Sequence, residues 1–591
     1  MTKPVRGKPE SPIRWIILLL TCVMMIGNYY CYDIPAALHT QMNEYFGKPD
    51  DFETLFSLLY TVYSVPNIIL PFFGGYFTDK FGSRVCLLVF CSFITIGQFI
   101  FALGLSMKSW PIMLLGRVVF GFGGESMGVA NSAILSEWFK GKELALAFGL
   151  NLSIARLGSV VNNLVSPTLA DSVNIQFALW FGVILCASSV MSAVSIAYFD
   201  KAMDADLLAN SGAHALLTDD EFEESTGNPL NNPLNENLIE DDIASVKKVE
   251  PQFKDILAFK QVFWIITVIC VVVYGCVLPF NNVASTLLLE RDYFMVPPDA
   301  CHLLDGTKCQ SDSNYPVDCP SSKWYQPPLP TSVTIDGTLY EPLTETDIDC
   351  TDDSWSDGCA KDFCDRQTDA ELKAGTIMSI PYIISACLSP ILGGFVDRFG
   401  LRAIIATIAP MMLVAVHASL GYTNCDPVGP LVGQGLAYAG FAAVIWPSIP
   451  LIVPARLVGL AYGTAFSIQN AGLASFPLII AAIYTESGDT YIPKVELFFV
   501  LVACVGVLVG LYLNYYDYFY ISSILNNADN SKSVDEVEAD VRSNSRDRNE
   551  SKDRLLANPV TKFPSDRSDS DDEVDQRGSR TRSSELFASL H

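Results

Sequence analysis

The stretch GGYFTDKFGSR at residues 74–84 recurs in altered form as GGFVDRFGLR at residues 393–402. Each copy follows a long apolar segment. The glycines allow a tight turn and close approach between helices, and the acidic residue, Asp79 or Asp397, can cap a helix terminus. We therefore expect one structural unit that occurs twice in the chain.

Two further pairs of segments are each separated by 314 residues. WFKGKELALAFG (138–149) corresponds to IVPARLVGLAYG (452–463), and LSIARLG (152–158) corresponds to FSIQNAG (466–472). Any two hydrophobic helices look alike, but the polar loops of the two motif copies match as well. The chain is thus predicted to consist of two equivalent halves, an architecture in which transporters bind their solute between the halves.

The rest of the chain is dominated by long apolar segments. Of its 591 residues, 50% are hydrophobic and 17% are charged. A helix needs roughly 20 apolar residues to cross a bilayer core about 30 Å thick. Twelve segments meet this requirement: 14–35, 54–77, 84–106, 111–135, 143–166, 176–199, 260–285, 373–395, 402–421, 428–452, 459–482 and 495–520. We expect an all-α membrane protein whose twelve transmembrane helices form two pseudo-symmetric six-helix bundles, 14–199 and 259–522.

The net charge of −26 is concentrated in three polar segments. Residues 200–250, 291–370 and 524–591 together carry 25 of these negative charges. Such an acidic chain without a basic face is not expected to bind nucleic acid. The sequence contains no phosphate-binding loop with a lysine, no Ser-His-Asp set and no metal-ligand cluster. We therefore expect a protein that is not an enzyme and that uses no cofactor or metal.

Basic residues in the short loops predict the orientation, since Lys and Arg favour the cytosolic side of a membrane. The amino terminus and the short loops on the side of residues 74–84 hold eleven basic residues, and the opposite short loops hold three. We expect the terminus 1–13, an acidic linker at 200–258 and a tail at 523–591 to be cytosolic. The composition of the linker and of the tail predicts disorder.

A cysteine-rich loop at 291–372 is then luminal. It contains an even number of cysteines in a polar, Asp-rich context, which is typical of disulfides on an oxidising face. No CxxC pair accompanies them, so a zinc site has weaker support. All pairings among the six remain open: Cys301, Cys309, Cys319, Cys350, Cys359 and Cys364.

The motif present in both halves, G-x-x-x-D-[KR]-x-G-x-[RK], resembles that of the major facilitator superfamily. YYCYDIPAALHT (29–40), FGFGGES (120–126), WFKGKEL (138–144) and SIQNAGLA (467–474) are further similar to the major facilitator superfamily domain-containing protein 1 group of lysosomal dipeptide transporters. This resemblance covers nearly all the spans but not the 291–372 loop.

The resemblance implies a uniporter in the lysosomal (endolysosomal) membrane that exports dipeptides from the lumen to the cytosol by alternating access. The implied partners are the dipeptide substrate, the lipid bilayer and a glycosylated lysosomal accessory membrane protein. A homodimer is a further candidate assembly.

Two charged residues within the spans are the leading candidates for a binding site, because ionisable groups in a membrane are expensive and usually functional. Glu125 precedes Lys140 by fifteen residues, and Arg156 follows Lys142 by fourteen. At 1.5 Å per residue, both lie about 21–22 Å from the same boundary. A carboxylate can bind the ammonium end of a peptide, and a guanidinium can bind its carboxylate. In the family resemblance, positions matching these two do so.

The repeat shows that this pair belongs to one half only. At the 314-residue spacing, Glu125 corresponds to Ala439 and Arg156 to Asn470. Softer candidates for substrate binding are Tyr63, Trp446 and Asn470, although span aromatics more often serve packing. Gating is predicted for residues of the motif copies and for one arginine of span four: Asp79, Arg84, Asp397, Arg402 and Arg117.

Other interpretations remain open. Glu125 and Arg156 could form a resident ion pair that only fixes helix packing. The chain could be a proton-coupled symporter of another small solute, with Glu125 as the proton carrier. It could also be a membrane sensor that transports nothing and binds its ligand through the cysteine-rich loop.

Overall fold

The structure is a computed structural model, and it describes residues 12–49, 52–139, 143–225, 251–296, 324–327, 333–335, 338–340, 343, 348, 350, 355, 360–488 and 490–528. Within these residues, eleven helices are long and apolar enough to cross a membrane, and a bent pair of helices makes a twelfth. The predicted all-α fold with twelve spans is confirmed.

The first half contains eight helices within the described residues. Helix α4 ends at Phe81 and is followed by Gly82, whose positive φ of 92° lies in the region that favours glycine, so the chain turns sharply into α5. The helices are α1 (Ile13–Ala37), α2 (His39–Phe46), α3 (Phe52–Ser64), α4 (Leu70–Phe81), α5 (Ser83–Ser106), α6 (Trp110–Trp138), α7 (Leu144–Ser172) and α8 (Ile175–Ser225).

The second half repeats this arrangement, and Gly400, with a φ of 74°, turns the chain at the position equivalent to Gly82. Its helices are α9 (Gln261–Leu288), α10 (Lys361–Met378), α11 (Ile380–Phe399), α12 (Arg402–Tyr422), α13 (Val428–Ile452), α14 (Val458–Glu486) and α15 (Lys494–Tyr520). The halves pack against each other mainly through α4 with α14 and through α7 with α11. We call the end of the bundle that carries residues 79–84 and 397–402 the motif face.

The second span is broken between α3 and α4, which meet at an angle of 51°. Pro66 begins a short 3₁₀ segment, Pro66–Ile68, at the break. A proline cannot donate a backbone hydrogen bond to the preceding turn, and its ring disrupts a continuous helix. The Asn67 side chain compensates in part by donating a hydrogen bond to the Tyr63 carbonyl at 2.8 Å.

Two element boundaries differ from those predicted. Helix α8 continues past the expected end of the bundle at 199 to Ser225, so the first part of the 200–258 segment is helical. Helix α10 begins at Lys361, within the segment predicted to be loop, because its apolar residues recur at helical spacing and are buried along one side. Residues 226–250, as well as 1–11 and 529–591, lie outside the described residues.

The last part of the linker forms a 3₁₀ helix, Phe253–Ala258, that contacts both halves near the motif face. The ring of Phe253 stacks on Tyr76 of α4, with the ring centroids 4.0 Å apart. Asp255 pairs with Arg456, which precedes α14, at 3.1 Å. We call residues 253–258 the linker strap.

The cysteine-rich segment contains a disulfide between Cys350 and Cys364, with the Cα atoms 5.3 Å apart. A small apolar cluster surrounds it and includes Trp355 and Phe363. A short antiparallel pair, β1 (Val333–Ile335) and β2 (Thr338–Tyr340), lies in the same segment. The prediction of a disulfide is confirmed for this pair, while Cys301, Cys309, Cys319 and Cys359 lie outside the described residues.

Candidate functional site

The motif face is closed by an aspartate that reaches from the first half to the second. The two carboxylate oxygens of Asp79 accept hydrogen bonds from the backbone amides of Gly459 at 2.8 Å and Leu460 at 2.6 Å. These amides belong to the first turn of α14 and have no partner within their own helix. The carboxylate also interacts favourably with the positive end of the helix dipole.

The equivalent aspartate makes the reciprocal contact. Asp397 accepts hydrogen bonds from the amides of Ala145 at 3.0 Å and Leu146 at 2.8 Å, in the first turn of α7. Ala145 and Gly459 are 314 residues apart, which is the spacing of the sequence repeat. Each half therefore caps a helix of the other half in the same way.

Glycines allow the helix backbones to come together at this face. A Cβ atom added to Gly75 would overlap the carbonyl oxygen of Gly459, and one added to Gly463 would overlap the carbonyl oxygen of Pro71. Side chains at either glycine would hold α4 and α14 apart. This contact therefore requires small residues on both helices.

The arginines predicted to gate make contacts within their own halves. Arg84 pairs with Asp200 at 3.4 Å and with Asp204 at 3.0 Å, both on α8. Arg402 is buried, lies 3.6 Å from Asp397 and donates to the carbonyl of Asn527. At the motif face, Asp79 and Asp397 thus link the halves by accepting hydrogen bonds from backbone amides.

Arg117, also predicted to gate, is fully buried inside the first half. Its guanidinium donates to the carbonyls of Cys31 at 3.2 Å and Tyr32 at 3.0 Å on α1. Pro35 lies inside α1 and has no amide hydrogen to give to Cys31, four residues earlier. Arg117 supplies the missing donor and so fastens α1 to α6.

Glu125 lies halfway along α6 and is half-buried. The hydroxyl of Tyr63 donates to its Oε1 at 3.4 Å. Gly124 leaves room for this contact, since a Cβ atom there would lie 2.5 Å from the Tyr63 hydroxyl. Tyr63 lies three residues before Pro66, where the break in the second span begins, so the carboxylate is held by a side chain of the same half.

Arg156 on α7 reaches across to the second half. Its Nη1 donates to the hydroxyl of Ser385 on α11, and its guanidinium lies over the ring of Tyr438 on α13, 4.3 Å from the ring centroid. A guanidinium stacks well on an aromatic face, which fixes its plane and leaves its edge available for an anion. This side chain is half-buried.

Among the described residues, no ion pair within 4.0 Å joins Glu125 to Arg156. The hydroxyl of Tyr29 on α1 lies within electrostatic reach of both. The two charges therefore lie around the same tyrosine without neutralising each other. The alternative interpretation, a resident ion pair between Glu125 and Arg156 that only fixes helix packing, is therefore not observed in this conformation.

Trp446 lies between this site and the motif face. Its indole nitrogen donates to the hydroxyl of Tyr274 at 2.8 Å, and its ring stacks on Phe466 at 4.5 Å. The Tyr462 hydroxyl donates to the Trp446 carbonyl and also meets the Ser136 hydroxyl of the first half at 2.9 Å. Trp446 is thus buried within the second half, next to a tyrosine that contacts the first half.

Asn470 on α14 contacts the broken second span. Its Nδ2 donates to the carbonyl of Asn67 at 3.0 Å, within the break between α3 and α4. The nearby Ser467 hydroxyl accepts a hydrogen bond from the amide of Phe72 at 3.0 Å. The side chains of α14 therefore satisfy backbone groups that the break leaves free.

Ser385 and Tyr438 were not predicted from the sequence, because neutral residues in apolar spans give little signal. The repeat contains one indication. Ser385 lies twelve residues before Asp397, and Asn67 lies twelve residues before Asp79. A polar residue at the same place in both halves, opposite Arg156 in one and Asn470 in the other, could have indicated these contacts.

Residues 17–293 and 364–545 match the family model described as Major Facilitator Superfamily. The chain belongs to the Major Facilitator Superfamily. The break in this match, 294–363, falls on the cysteine-rich segment. This superfamily chain is a multi-pass membrane transporter, as its family and its twelve spans indicate together.

Named relatives and a solved structure agree with this assignment. The lysosomal dipeptide transporter MFSD1 of Homo sapiens is 30% identical over 508 residues, which cover 84% of this chain and 84% of the relative. The protein of the same name from Bos taurus is 30% identical over 508 residues, with 84% and 83% covered. The crystal structure of a double-Trp XylE mutant has a TM-score of 0.56 at 14% identity, covering 90% of this chain and 99% of that one, and shows the shared fold.

Proposed function

We propose that this transporter carries dipeptides across the lysosomal membrane, from the lumen to the cytosol, as a uniporter that works by alternating access. The observation that carries the proposal is the placement of Glu125 and Arg156. Both lie within electrostatic reach of Tyr29, without an ion pair between them among the described residues. The names of the relatives, lysosomal dipeptide transporters at 30% identity, support the same substrate class.

The chemistry of a dipeptide matches these two groups. Its ammonium end would bind the Glu125 carboxylate, which Tyr63 orients. Its carboxylate end would bind the Arg156 guanidinium through two parallel N–H···O bonds, the geometry in which arginine is strongest. Ser385 and Tyr438 would hold the guanidinium in place.

Two opposite charges at fixed positions also select for length. A free amino acid holds its ammonium and its carboxylate closer together than a dipeptide does. A tripeptide separates them further than a dipeptide does. Because a bound ligand must satisfy both ends without strain, the clamp favours one separation between the termini.

Alternating access would use the contacts between the halves. The Asp79 and Asp397 caps hold the motif face closed in this structure. The distribution of Lys and Arg supports a cytosolic motif face and cytosolic termini. We infer that this conformation faces the lumen and that the caps separate when the halves rock to release substrate into the cytosol.

Uptake by purified protein in liposomes tests the substrate class. We expect saturable uptake of labelled Ala-Ala that an excess of unlabelled dipeptide inhibits. An N-acetylated dipeptide and a dipeptide amide each lack one terminal charge, so they should compete weakly. The proposal is wrong if the protein takes up no dipeptide, or if the blocked peptides compete as well as Ala-Ala.

A proton gradient distinguishes uniport from proton-coupled transport. A uniporter brings the dipeptide to equal concentrations on both sides, whether or not a gradient is imposed. Accumulation above that level, driven by an acidic outside, would identify a symporter and make Glu125 a candidate proton carrier. In cells, co-localisation of the tagged protein with a lysosomal marker tests the membrane assignment.

A further inference from the structure

The chain that follows α15 folds back onto the second copy of the motif. Residues 522–523 have positive φ angles of 55° and 59°, a left-handed conformation that residues other than glycine keep only where other contacts hold it. The buried carboxylate of Asp517, near the end of α15, holds this reversal. It accepts hydrogen bonds from the amides of Leu525 at 2.9 Å and Asn526 at 3.3 Å. We call residues 521–527 the tail clasp.

The tail clasp caps the helix that follows the motif. The amides of Arg402 and Ile404 lie in the first turn of α12, where helical geometry gives them no partner. The Arg402 amide donates to the Leu525 carbonyl at 3.0 Å. The Ile404 amide donates to the side-chain oxygen of Asn526 at 3.2 Å, and the Leu401 amide donates to the carbonyl of the same residue at 3.2 Å. Oxygen atoms of the clasp thus replace a capping side chain.

This close approach of the chain distinguishes the second half from the first. A Cβ atom added to Gly400 would lie 2.5 Å from the carbonyl oxygen of Asn526. One added to Gly82, the equivalent glycine of the first half, would meet nothing within 4 Å. Arg84 of the first half pairs instead with two aspartates of α8. The tail clasp is therefore a feature that the repeat of the two halves does not require.

The tail clasp also sets the position of the Arg402 side chain beside the Asp397 cap. Arg402 is buried, and its Nε and Nη2 have no hydrogen-bond acceptor among the described residues. Its Nη1 donates to the Asn527 carbonyl at 3.4 Å, and the guanidinium lies 3.6 Å from the Asp397 carboxylate. A positive charge at this distance favours the ionised carboxylate, the form that accepts hydrogen bonds from the two amides of α7.

We propose that Asp517 and Asn526 are positioning residues for the gate at Asp397. They hold the tail clasp against α12, the clasp holds Arg402, and Arg402 keeps the carboxylate in place for the amides of α7. The Asp79 cap has no such support from the clasp. This inference rests on the proposed function and deepens it, because it adds the chain after the last span to the contacts that would open and close the motif face.

Hydrogen exchange of the full chain in lipid nanodiscs, followed by mass spectrometry, tests this assignment. The first turn of α7 reports on the Asp397 cap, and the first turn of α14 reports on the Asp79 cap. For Asn526→Ala, we expect exchange in the first turn of α7 to quicken about fivefold, as when one hydrogen bond is lost. Exchange in the first turn of α14 should stay close to that of the wild type.

Double variants show whether Asn526 acts through Asp397. In an Asp397→Asn background the cap is already weakened, so Asn526→Ala should add little to exchange in the first turn of α7. In an Asp79→Asn background its effect should persist in full, because independent sites act additively. Asp517→Asn should change exchange in the same direction as Asn526→Ala. Asp517 is fully buried and also matters for folding, so the conclusion depends on Asn526, which is half-buried.

Asn424→Ala is the matched control, because Asn424 is an exposed asparagine just beyond the opposite end of α12. It should leave exchange in both first turns unchanged. The proposal is overturned if Asn526→Ala quickens exchange equally at both caps, or if its effect adds in full to that of Asp397→Asn. Either result would mean that the clasp stabilises the fold without acting through Asp397. The measurement uses no dipeptide, so its outcome is independent of whether the proposed substrate is correct.

Discussion

Arg156 and Asn470 occupy equivalent positions in the two halves, yet the chemical character of their contacts differs. Each reaches across the interface to the residue twelve places before the motif aspartate of the other half: Arg156 to Ser385, and Asn470 to Asn67. Asn470 donates to a backbone carbonyl freed by a break in a helix. Arg156 presents a charge beside an aromatic ring and keeps an edge available for an anion.

The motif face differs from the region around Arg156 and Asn470, because at the motif face the two halves make the same contacts. Asp79 and Asp397 cap equivalent helices with equivalent pairs of hydrogen bonds. We therefore propose that features present in both halves serve the movement of the halves, and that charges present in one half serve substrate recognition. A zwitterion has two different ends, so a site for it cannot be symmetric.

Making the first half resemble the second should have the largest effect. Arg156→Asn copies residue 470, and Glu125→Gln removes the other charge of the clamp. We expect either change to lower dipeptide uptake in liposomes about 100-fold, close to 3 kcal/mol, because one charge-assisted pairing is lost. Expression and elution as a single species should match the wild type. Near-normal uptake by either variant would contradict the clamp.

Holding the helices of the motif face apart should have the next largest effect. Gly75→Val places a side chain against Gly459, and we expect turnover to fall about tenfold or more, since overpacking costs roughly 1–3 kcal/mol. Dipeptide binding, measured by thermal shift, should persist. Gly375→Val is the control, because a Cβ atom there meets nothing within 4 Å. Loss of turnover in the control as well would assign the effect to general destabilisation.

Removing a cap should have a smaller effect that is similar in both halves. Asp79→Asn and Asp397→Asn each weaken one helix cap, a contribution of about 0.5–2 kcal/mol. We expect turnover to change three- to tenfold and binding affinity to change less, as measured by initial uptake rates against concentration. Weakened binding with unchanged turnover would mean that these residues belong to the site.

Asn470→Ala should have the smallest effect and sharpens the contrast with Arg156. It removes one hydrogen bond to the break in the second span, worth about 1 kcal/mol. We expect a lowered melting temperature and a decrease in uptake of less than about fivefold. If Asn470→Ala abolishes uptake as fully as Arg156→Asn does, the site extends into both halves.

Much of the fold could be predicted because membranes restrict it. A span needs a long apolar segment, and the repeat revealed the two halves and the equivalence of Asp79 and Asp397. The shared depth of Glu125 and Arg156 stays a prediction, made by counting residues along helices. These features are periodic or charged, and such features are visible in a single sequence.

The remaining features depend on contacts that a single sequence does not display. Ser385 and Tyr438 are neutral side chains whose importance comes from what faces them. The break at Pro66 was hidden because prolines also occur inside intact spans, as Pro279 does in α9. The partners of Arg84 lie on α8, beyond the predicted end of the sixth span.

The linker strap attaches the last part of the linker to both halves. The free part of the connection between the halves is therefore shorter than the whole linker. Phe253 stacks on the first half and Asp255 forms an ion pair with the second. The linker is therefore attached across the interface between the halves, where the motif face would open. Opening has to release one of these contacts. An exposed ion pair and one ring stack are worth about 1 kcal/mol each. In the rocking motion that we propose, the strap would therefore act as a brake that added salt weakens.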